Sequence, residues 1–353
     1  MSPSSESGSG VASAAPQLID AERLSTYLED KLPGSGPFEI TRHRAGHSNE
    51  TFFVRRDGHG WALRRPPAGA FLPSAHDVGR EYKVLSALTA TDVRTPATTL
   101  ACDDESVIGA PFYLMELMEG TVIRDRVPDA YSEADRGRIG EELVDALVEL
   151  HSIDPDSCGL GSFGKKEGYL ERQLRRWTGQ MDLTLPLTRE LPILRALGEW
   201  LVQNLPEPPS TTIVHGDYKL DNVMFDRNEP RLIAILDWEM STLGDPLADL
   251  GWMVSFWREK QDLDHDAFAD LGAVTTLPGF GSRRRLVDRY VDRTGRDASA
   301  LDWYVVLAIW KLAILLEGSY ARHLAGMTDD PFFARMEHGV PALGERARSI
   351  AGI

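Results

Sequence analysis

Residues 215–222 read HGDYKLDN. Residues 235–239, at the end of a short hairpin that follows, read ILDWE. Apolar stretches at Thr211–Val214, Val223–Phe225 and Arg231–Leu236 predict short strands around these two motifs. The spacing is therefore H-x-D-x-x-x-x-N, followed by an aspartate at the end of the next hairpin. This pattern predicts a carboxylate on a loop, an amide at the start of a strand and a second carboxylate at a strand end.

These residue types at these positions are typical of phosphoryl transfer from ATP, which needs a carboxylate to orient the acceptor hydroxyl and oxygen ligands for magnesium. Asp217 is predicted to be the base, and Asn222 and Asp237 the magnesium ligands. Lys219 is predicted to add positive charge at the transferred group, and an ordinary exposed lysine on a loop is the alternative. An HxD or a strand-end aspartate alone favours an ordinary turn, whereas the joint pattern favours phosphoryl transfer.

Two regions flank a linker near Gly120. Residues 18–118 predict a helix, three strands, a helix and two strands, which is a small α+β lobe with a five-stranded antiparallel sheet. Residues 119–353 predict a large, mostly helical lobe with the hairpin set into it. Residues 1–17 are rich in serine and predict a disordered tail.

Composition excludes several function classes. The chain has 353 residues with 38 basic and 54 acidic side chains, a net charge of −16, and a pI near 5.0. An acidic chain is a poor candidate for binding nucleic acid through its phosphates. Two cysteines and the absence of an uninterrupted apolar run of about 18 residues predict a cytoplasmic protein that does not span a membrane.

The two motifs, with the small lobe before them, resemble the aminoglycoside phosphotransferase and choline kinase superfamily. Together with GDPLADL at residues 244–250, they look most like the phosphotransferase domain fused to some acyl-CoA dehydrogenases. The resemblance covers about residues 18–345. It implies a bilobal protein-kinase-like fold with a nucleotide-binding lobe over residues 18–118. It also implies ATP or GTP, magnesium and a small hydroxylated acceptor.

The resemblance identifies further residues at matching positions. Trp61-Ala62-Leu63-Arg64 matches the kinase V-A-I-K strand, with arginine in place of lysine. Arg64 keeps the positive charge for the phosphates but has a wider, planar fork. Glu81, on the helix that follows, is the matching acidic partner. Two surface charges remain the alternative.

Two backbone segments complete the predicted nucleotide site. The loop Ala45–Glu50 matches the phosphate-covering loop but lacks G-x-G-x-x-G, so Ser48 and Asn49 are expected to supply side-chain contacts. The segment 115–120 matches the hinge, where the backbone of Glu116 and Met118 would bind adenine. An ordinary hairpin and an edge strand are the alternatives.

The acceptor is expected to be a small molecule, because no Ala-Pro-Glu and no long activation segment follow Asp237. Helical-lobe residues are predicted to build its site: Arg172, Arg175, Arg176, Trp177, Glu317 and Tyr320. Arginines favour an anionic acceptor such as a hydroxyacyl-CoA, and the acidic balance favours a cationic aminoglycoside. The sequence leaves both acceptors open.

Two other functions fit parts of the pattern. A nucleotide-binding pseudokinase acting as a regulatory module is favoured by Arg64 and the glycine-poor loop, and disfavoured by intact Asp217, Asn222 and Asp237. A protein kinase is disfavoured by the missing activation segment. The sequence therefore favours an ATP- and magnesium-dependent phosphotransferase with an alcohol group as acceptor.

Overall fold

The computed structural model describes residues 18–43, 49–67, 77–207, 210–262, 272–328 and 330–353. Within them the chain divides into two compact units. The first unit holds residues up to Gly79 together with Thr99–Leu117. The second unit holds Arg80–Thr98 and Met118–Ile353. The tail predicted at 1–17 and Ser48 of the predicted phosphate loop lie outside the described residues.

The first part of the chain forms a five-stranded sheet with neighbouring elements in the order β1-β2-β3-β5-β4. Asp20 caps the first helix by accepting hydrogen bonds from Glu22 N and Arg23 N. The antiparallel register sets Thr51 and Tyr113 beside Arg64. The predicted five-stranded sheet is confirmed, with these bounds: α1 Ala21–Leu28, β1 Glu39–His43, β2 Glu50–Arg56, β3 His59–Arg65, α2 Val78–Leu88, β4 Thr98–Cys102 and β5 Phe112–Glu116.

The remainder of the chain is mostly helical, as predicted. Its first long helix begins at a capping box in which Ser132 and Asp135 satisfy each other's backbone amides. The bounds are α3 Glu133–Ser152, α4 Tyr169–Thr184, α5 Pro192–Gln203, β6 Thr212–Val214, β7 Val223–Phe225, β8 Leu232–Ile235, β9 Thr242–Gly244, α6 Pro246–Phe256, α7 Arg283–Thr294, α8 Leu301–Leu324 and α9 Met336–Ala351.

The short strands do not form one sheet. Strands β7 and β8 pair as the predicted hairpin, whereas β6 pairs antiparallel with β9. The sequence analysis did not predict β9, because Thr242–Gly244 is only three residues long and ends in glycine. The β6-β9 pair matters for the site, since the HGDYKLDN segment begins directly after β6.

Helix α8 forms the centre of the helical unit, where it packs against α6, α9, α5 and α4. It is the one helix of the described residues that is long and apolar enough to cross a membrane by length and composition, and 61% of its most apolar window is buried inside the structure. Among its buried residues are Trp303, Tyr304, Trp310 and Tyr320. These contacts are those of a central core helix.

Gly251 sets the distance between α6 and α8. A Cβ added there would lie 2.7 Å from Tyr304 Cβ and 2.8 Å from Tyr304 C, so backbone would have to move. Gly179, inside α4, would meet no atom within 4 Å. The two positions therefore differ in packing but not in helical conformation.

We predict that Gly251→Ala lowers the free energy of unfolding by about 1–3 kcal/mol, because overpacking strains the helix pair. Gly179→Ala is the matched control and should raise the free energy of unfolding by about 0.5–1 kcal/mol, since alanine is the better helix former. Urea denaturation followed by circular dichroism measures both. Equal effects of the two substitutions would contradict this packing account.

Candidate active site

The HGDYKLDN segment crosses from β6 to β7 through a loop and a single 3-10 turn at Leu220–Asn222. Gly216 adopts a left-handed backbone with φ of 84°. A Cβ at this position would also lie 2.6 Å from the Met240 carbonyl oxygen. Glycine is therefore required before Asp217 both for conformation and for space.

Asp249, in the first turn of α6, holds the backbone of this loop. Its carboxylate accepts hydrogen bonds from His215 N at 2.6 Å and from Gly216 N at 2.8 Å. The side chain is buried. Asp249 therefore fixes the backbone next to Asp217.

His151 supports Asp249 from α3. Its Nε2 lies 3.3 Å from Asp249 Oδ2, and its Nδ1 lies 2.8 Å from the Tyr290 hydroxyl. Burial lowers the pKa of His151 although Asp249 opposes this. A neutral ring fits both contacts: Nε2–H donates to the carboxylate, and Nδ1 accepts from Tyr290. The contact between His151 and Asp249 is thus a hydrogen bond from a neutral ring at neutral pH, and not an ion pair.

His215 holds the loop through both nitrogens of its ring. Its Nε2 donates to the Leu236 carbonyl at 2.9 Å, and its Nδ1 accepts from Asp217 N at 3.3 Å. The ring lies 4.8 Å from the ring of Trp238. It therefore links the loop to the strand end that carries Asp237.

Asp217 receives four side-chain hydrogen bonds. Lys219 Nζ lies 2.8 Å from each carboxylate oxygen. Trp252 Nε1 donates to Oδ1 at 2.8 Å, and Asn222 Nδ2 donates to Oδ2 at 2.6 Å. Burial would raise the pKa of Asp217, but the charges of Lys219 and Lys311 hold it below its usual value. The carboxylate is therefore ionised at neutral pH and fixed in direction.

Asn222 and Asp237 lie at the same end of the β7-β8 hairpin. Val223 pairs with Ile235, and Leu236 N donates to the Asn222 carbonyl at 2.8 Å, which places Asp237 one residue beyond. Asp237 has a left-handed backbone with φ of 65°. Both partners of Asn222 Nδ2 are acceptors, Asp217 O and Oδ2, so the amide orientation is fixed by chemistry.

This donor set fits magnesium. Because the Asn222 nitrogen faces Asp217, its amide oxygen is directed away from that carboxylate and is of the hard type that magnesium binds, as is the carboxylate of Asp237. Among the residues that the structure describes, no group of three or more His, Cys, Asp and Glu side chains could hold a metal ion. An amide and a single carboxylate are instead the sparse protein set that magnesium uses when phosphates supply further oxygens.

The remaining predicted site residues lie on separate elements. Glu81, on α2, is buried and accepts a hydrogen bond from Trp238 N at 3.3 Å. Arg64 lies on β3, Asn49 directly precedes β2, and Glu116 ends β5. Met118 follows two residues after that strand. The ion pair predicted between Arg64 and Glu81 stays a prediction.

Sequence reasoning missed Trp252 as a partner of Asp217. Trp252 follows Asp249 by three residues, one turn along the same face of α6. Both side chains therefore reach the loop. The three-residue spacing of Asp249 and Trp252 indicates that both side chains lie on one face of the helix. The sequence alone does not indicate that this face meets the loop of Asp217.

The acceptor residues predicted on α4 and α8 make several different contacts, and their role in binding an acceptor stays a prediction. Arg172 donates to the carbonyls of Lys165 and Glu167 and so closes a loop. Glu317 is buried and paired with Arg189, 3.0 Å away. Arg189 also lies over the ring of Tyr320. Arg175 is exposed, and Arg176 lies over the ring of Trp177 at 5.2 Å.

A cavity of about 200 Å³ borders the HGDYKLDN segment on another side. Lys219 and Asp221 line it from the loop, and Arg124 and Asp125 line it from the segment before α3. Its walls are mainly apolar: Leu143, Leu220, Met253, Phe256, Trp257 and Val274. Lys219 contacts both the cavity wall and Asp217. Its ammonium group lies 5.3 Å from the ring of Phe256 and bonds to the Asp217 carboxylate.

A sequence model of the phosphotransferase enzyme family (APH) matches residues 39–304. The chain is 36% identical to acyl-CoA dehydrogenase family member 11 of Rattus norvegicus, over 87% of this chain and 40% of the relative. It is 34% identical to the protein of the same name from Homo sapiens, over 92% of this chain and 42% of the relative. The chain thus spans about two fifths of the length of these relatives.

Solved structures show the same fold. A Ralstonia eutropha protein assigned provisionally to the aminoglycoside phosphotransferases has a TM-score of 0.81 and 32% identity, over 95% of this chain and 98% of that one. ADP-bound aminoglycoside phosphotransferase APH(2'')-Ib has a TM-score of 0.58 and 15% identity, over 93% and 99%. The GDP complex of aminoglycoside 2'-phosphotransferase-IIIa has a TM-score of 0.59 and 16% identity, over 94% of this chain and 99% of that one. The predicted kinase-like fold is confirmed.

We predict that Asp249→Asn destabilises the protein by about 1–3 kcal/mol, because one buried amide of the loop loses its acceptor. Asp288, an exposed partner of Arg284, provides the control Asp288→Asn, which should change stability by less than about 0.5 kcal/mol. Denaturant unfolding measures both variants. Wild-type stability in Asp249→Asn would refute this anchoring role.

Asp245 makes stability depend on pH. Burial raises the pKa of its carboxyl to about 6, although hydrogen bonds from Tyr304 and Leu247 N oppose this. The folded state therefore holds this proton more tightly than the unfolded state, and stability falls as pH rises from about 4 to about 6. We predict that Asp245→Asn removes up to about 3 kcal/mol of this decline. Unfolding in urea across that range tests it, and an unchanged slope would contradict it.

Proposed function

This chain belongs to the phosphotransferase enzyme family, and we propose that it transfers the γ-phosphoryl group of ATP to a hydroxyl group of a small molecule. The observation that carries the proposal is the ionised, directed carboxylate of Asp217. It is bonded to the amide of Asn222, and Asp237 follows the second strand at the same hairpin end as Asn222. This combination is the one that phosphoryl transfer requires.

Asp217 acts as the base in this proposal. The acceptor hydroxyl gives its proton to the Asp217 carboxylate while its oxygen forms a bond to the γ-phosphorus. The bond from that phosphorus to the β,γ-bridging oxygen breaks, and ADP leaves with the electron pair. Trp252 and Asn222 hold the carboxylate in one orientation during this step.

Lys219 is proposed to contact the transferred group. It lies 2.8 Å from both oxygens of Asp217 and lines the neighbouring cavity. A bound phosphate is a stronger attraction for an ammonium group than one carboxylate, because it carries more negative charge. Movement of Lys219 to the γ-phosphate would free lone pairs of Asp217 for the acceptor.

Asn222 and Asp237 would hold magnesium, which neutralises the charge of the phosphates when bound. Nucleotide binding is proposed for Arg64, Glu81, Ser48, Asn49 and the backbone of Glu116 and Met118, with residues 18–118 as the nucleotide-binding lobe. The neighbours solved with ADP and with GDP support a nucleoside triphosphate as donor, and we propose ATP, with GTP as the second choice.

The acceptor is proposed to enter the cavity beside Lys219. Its four charged lining residues balance, since Arg124 and Lys219 oppose Asp125 and Asp221. Its other walls are largely apolar. A balanced, apolar cavity suits the chain of a hydroxyacyl-CoA-like acceptor better than a polycationic aminoglycoside. The relatives named acyl-CoA dehydrogenase family members agree with this preference.

A small-molecule acceptor also agrees with the short connection after Asp237. Helix α6 begins at Pro246, so only residues 238–245 separate the two. A protein kinase needs a longer segment there to bind a peptide. We place the enzyme in the cytoplasm, which suits its two cysteines, both free in the structure.

We predict that magnesium-ATP turnover in a coupled assay is stimulated by an acceptor drawn from a panel of hydroxyacyl-CoAs, aminoglycosides, choline-like amines and sugars. Asp217→Asn should lower that turnover by at least about 100-fold, because general-base catalysis contributes about 10²–10⁴-fold. Asn222→Ala and Asp237→Ala should raise the magnesium concentration needed for half-maximal rate.

Asp226→Asn, in the turn at the other end of the same hairpin, is the matched control and should retain wild-type turnover. Nucleotide binding with no turnover on any acceptor would instead support the pseudokinase alternative. Turnover that survives Asp217→Asn would contradict the proposed base.

A further inference from the structure

Lys311 lies in the middle of α8, a helix that is otherwise mainly apolar around it. Trp310 and Ala313 beside it are buried. A lysine in such a position loses hydration, which normally disfavours it unless its ammonium group has partners. The chain holds seven lysines, and neither the HGDYKLDN motif nor its spacing points to this one.

The ammonium group of Lys311 faces the Asp217 loop. It donates to the Gly216 carbonyl at 2.8 Å. It also lies 4.2 Å from the ring of Trp252 and 5.6 Å from the ring of Trp177, both within cation–π range. Among the described residues no carboxylate forms an ion pair with Lys311 within 4 Å. Its charge is therefore held by a carbonyl dipole and two indole rings.

These contacts reach Asp217 by two routes. Gly216 is its chain neighbour, so the carbonyl bond fixes the backbone immediately before the carboxylate. Trp252 donates its indole N–H to Asp217 Oδ1 while its ring carries Lys311. A cation over an indole ring also makes the N–H more polar and strengthens the hydrogen bond that it donates. Helix α8 thus acts on the carboxylate through α6 and through the loop.

We propose that Lys311 is a positioning residue for Asp217, which it orients through its contacts with Gly216 and Trp252. This role rests on the proposed function, in which Asp217 is the base. It differs from that of Lys219, which bonds to Asp217 directly and lines the cavity. Lys311 acts on the carboxylate without occupying either of its oxygens.

The electrostatic surroundings support this role. Burial lowers the pKa of Lys311 to about 8, with Asp217 and Asp249 raising it and Arg176 and Lys219 lowering it. The ammonium form therefore dominates at neutral pH, and its effect on Trp252 and Asp217 should be lost as pH rises through about 8. The orientation of the base would then decline on the alkaline side.

The first test needs no acceptor. The indole N–H signal of Trp252 is assigned in a ¹H–¹⁵N spectrum by its loss in Trp252→Phe, and is then followed from pH 6.5 to 9.5. In the wild type it should move with a midpoint near pH 8, and in Lys311→Met that transition should be absent. A signal that is constant in the wild type, or that titrates equally in Lys311→Met, would overturn the proposal.

The second test uses turnover with magnesium-ATP, with slow hydrolysis by water as the reaction if the panel yields no acceptor. Lys311→Met should lower kcat roughly 100-fold, the loss that a misplacement of about 1 Å causes, with the KM for ATP within twofold of wild type. Lys311→Arg should restore most of kcat, and Trp252→Phe should lower it without removing a charge. Lys83→Met, at an exposed lysine of α2, is the control.

The outcomes separate the two proposals. Turnover that depends on Asp217 but is equal in Lys311→Met and wild type would refute the positioning role alone. Turnover that does not depend on Asp217 would refute the proposed function, and the Trp252 signal would still decide whether Lys311 acts on the indole.

Discussion

The carboxylate of Asp249 holds the candidate site together. Two successive backbone amides, those of His215 and Gly216, donate to its two oxygens, so the loop has one fixed direction when it reaches Asp217. Because the amide of His215 is buried, its loss of hydration must be offset by this acceptor. Trp252 lies one helical turn further on and acts on the Asp217 carboxylate, so α6 positions both the backbone and the side chain of the base.

Much of the fold and of the central site could be predicted from the sequence, because local signals report them. The caps at Asp20 and Ser132, the hairpin around residues 223–235 and the HGDYKLDN spacing depend on neighbours in the chain. The five-stranded sheet followed from alternating patterns over residues 38–117. Asp217 and Asn222 lie five residues apart and bond to each other, and the hairpin places Asp237 at the same strand end as Asn222.

Contacts between distant segments could not be predicted. Strand β9 pairs with β6 across 28 residues or more, and three residues are too few for a pattern. Lys311 reaches the Gly216 carbonyl from a helix whose letters describe only a buried core. The acceptor role of the α4 arginines stays a prediction, because helical spacing alone does not say which face of a helix meets a substrate. Arg172 bonds to loop carbonyls, and Arg175 is exposed.

The central claim is that Asp217 makes this chain a phosphotransferase with a small-molecule acceptor. The most direct measurement is transfer of label from γ-¹⁸O-labelled ATP to the small-molecule fraction of a cell extract, read by mass spectrometry with wild type and with Asp217→Asn. The account predicts a labelled phosphate ester that forms with the wild type and magnesium and is lost in the variant. Label found only in inorganic phosphate or in protein, or an ester formed equally by both chains, would contradict it.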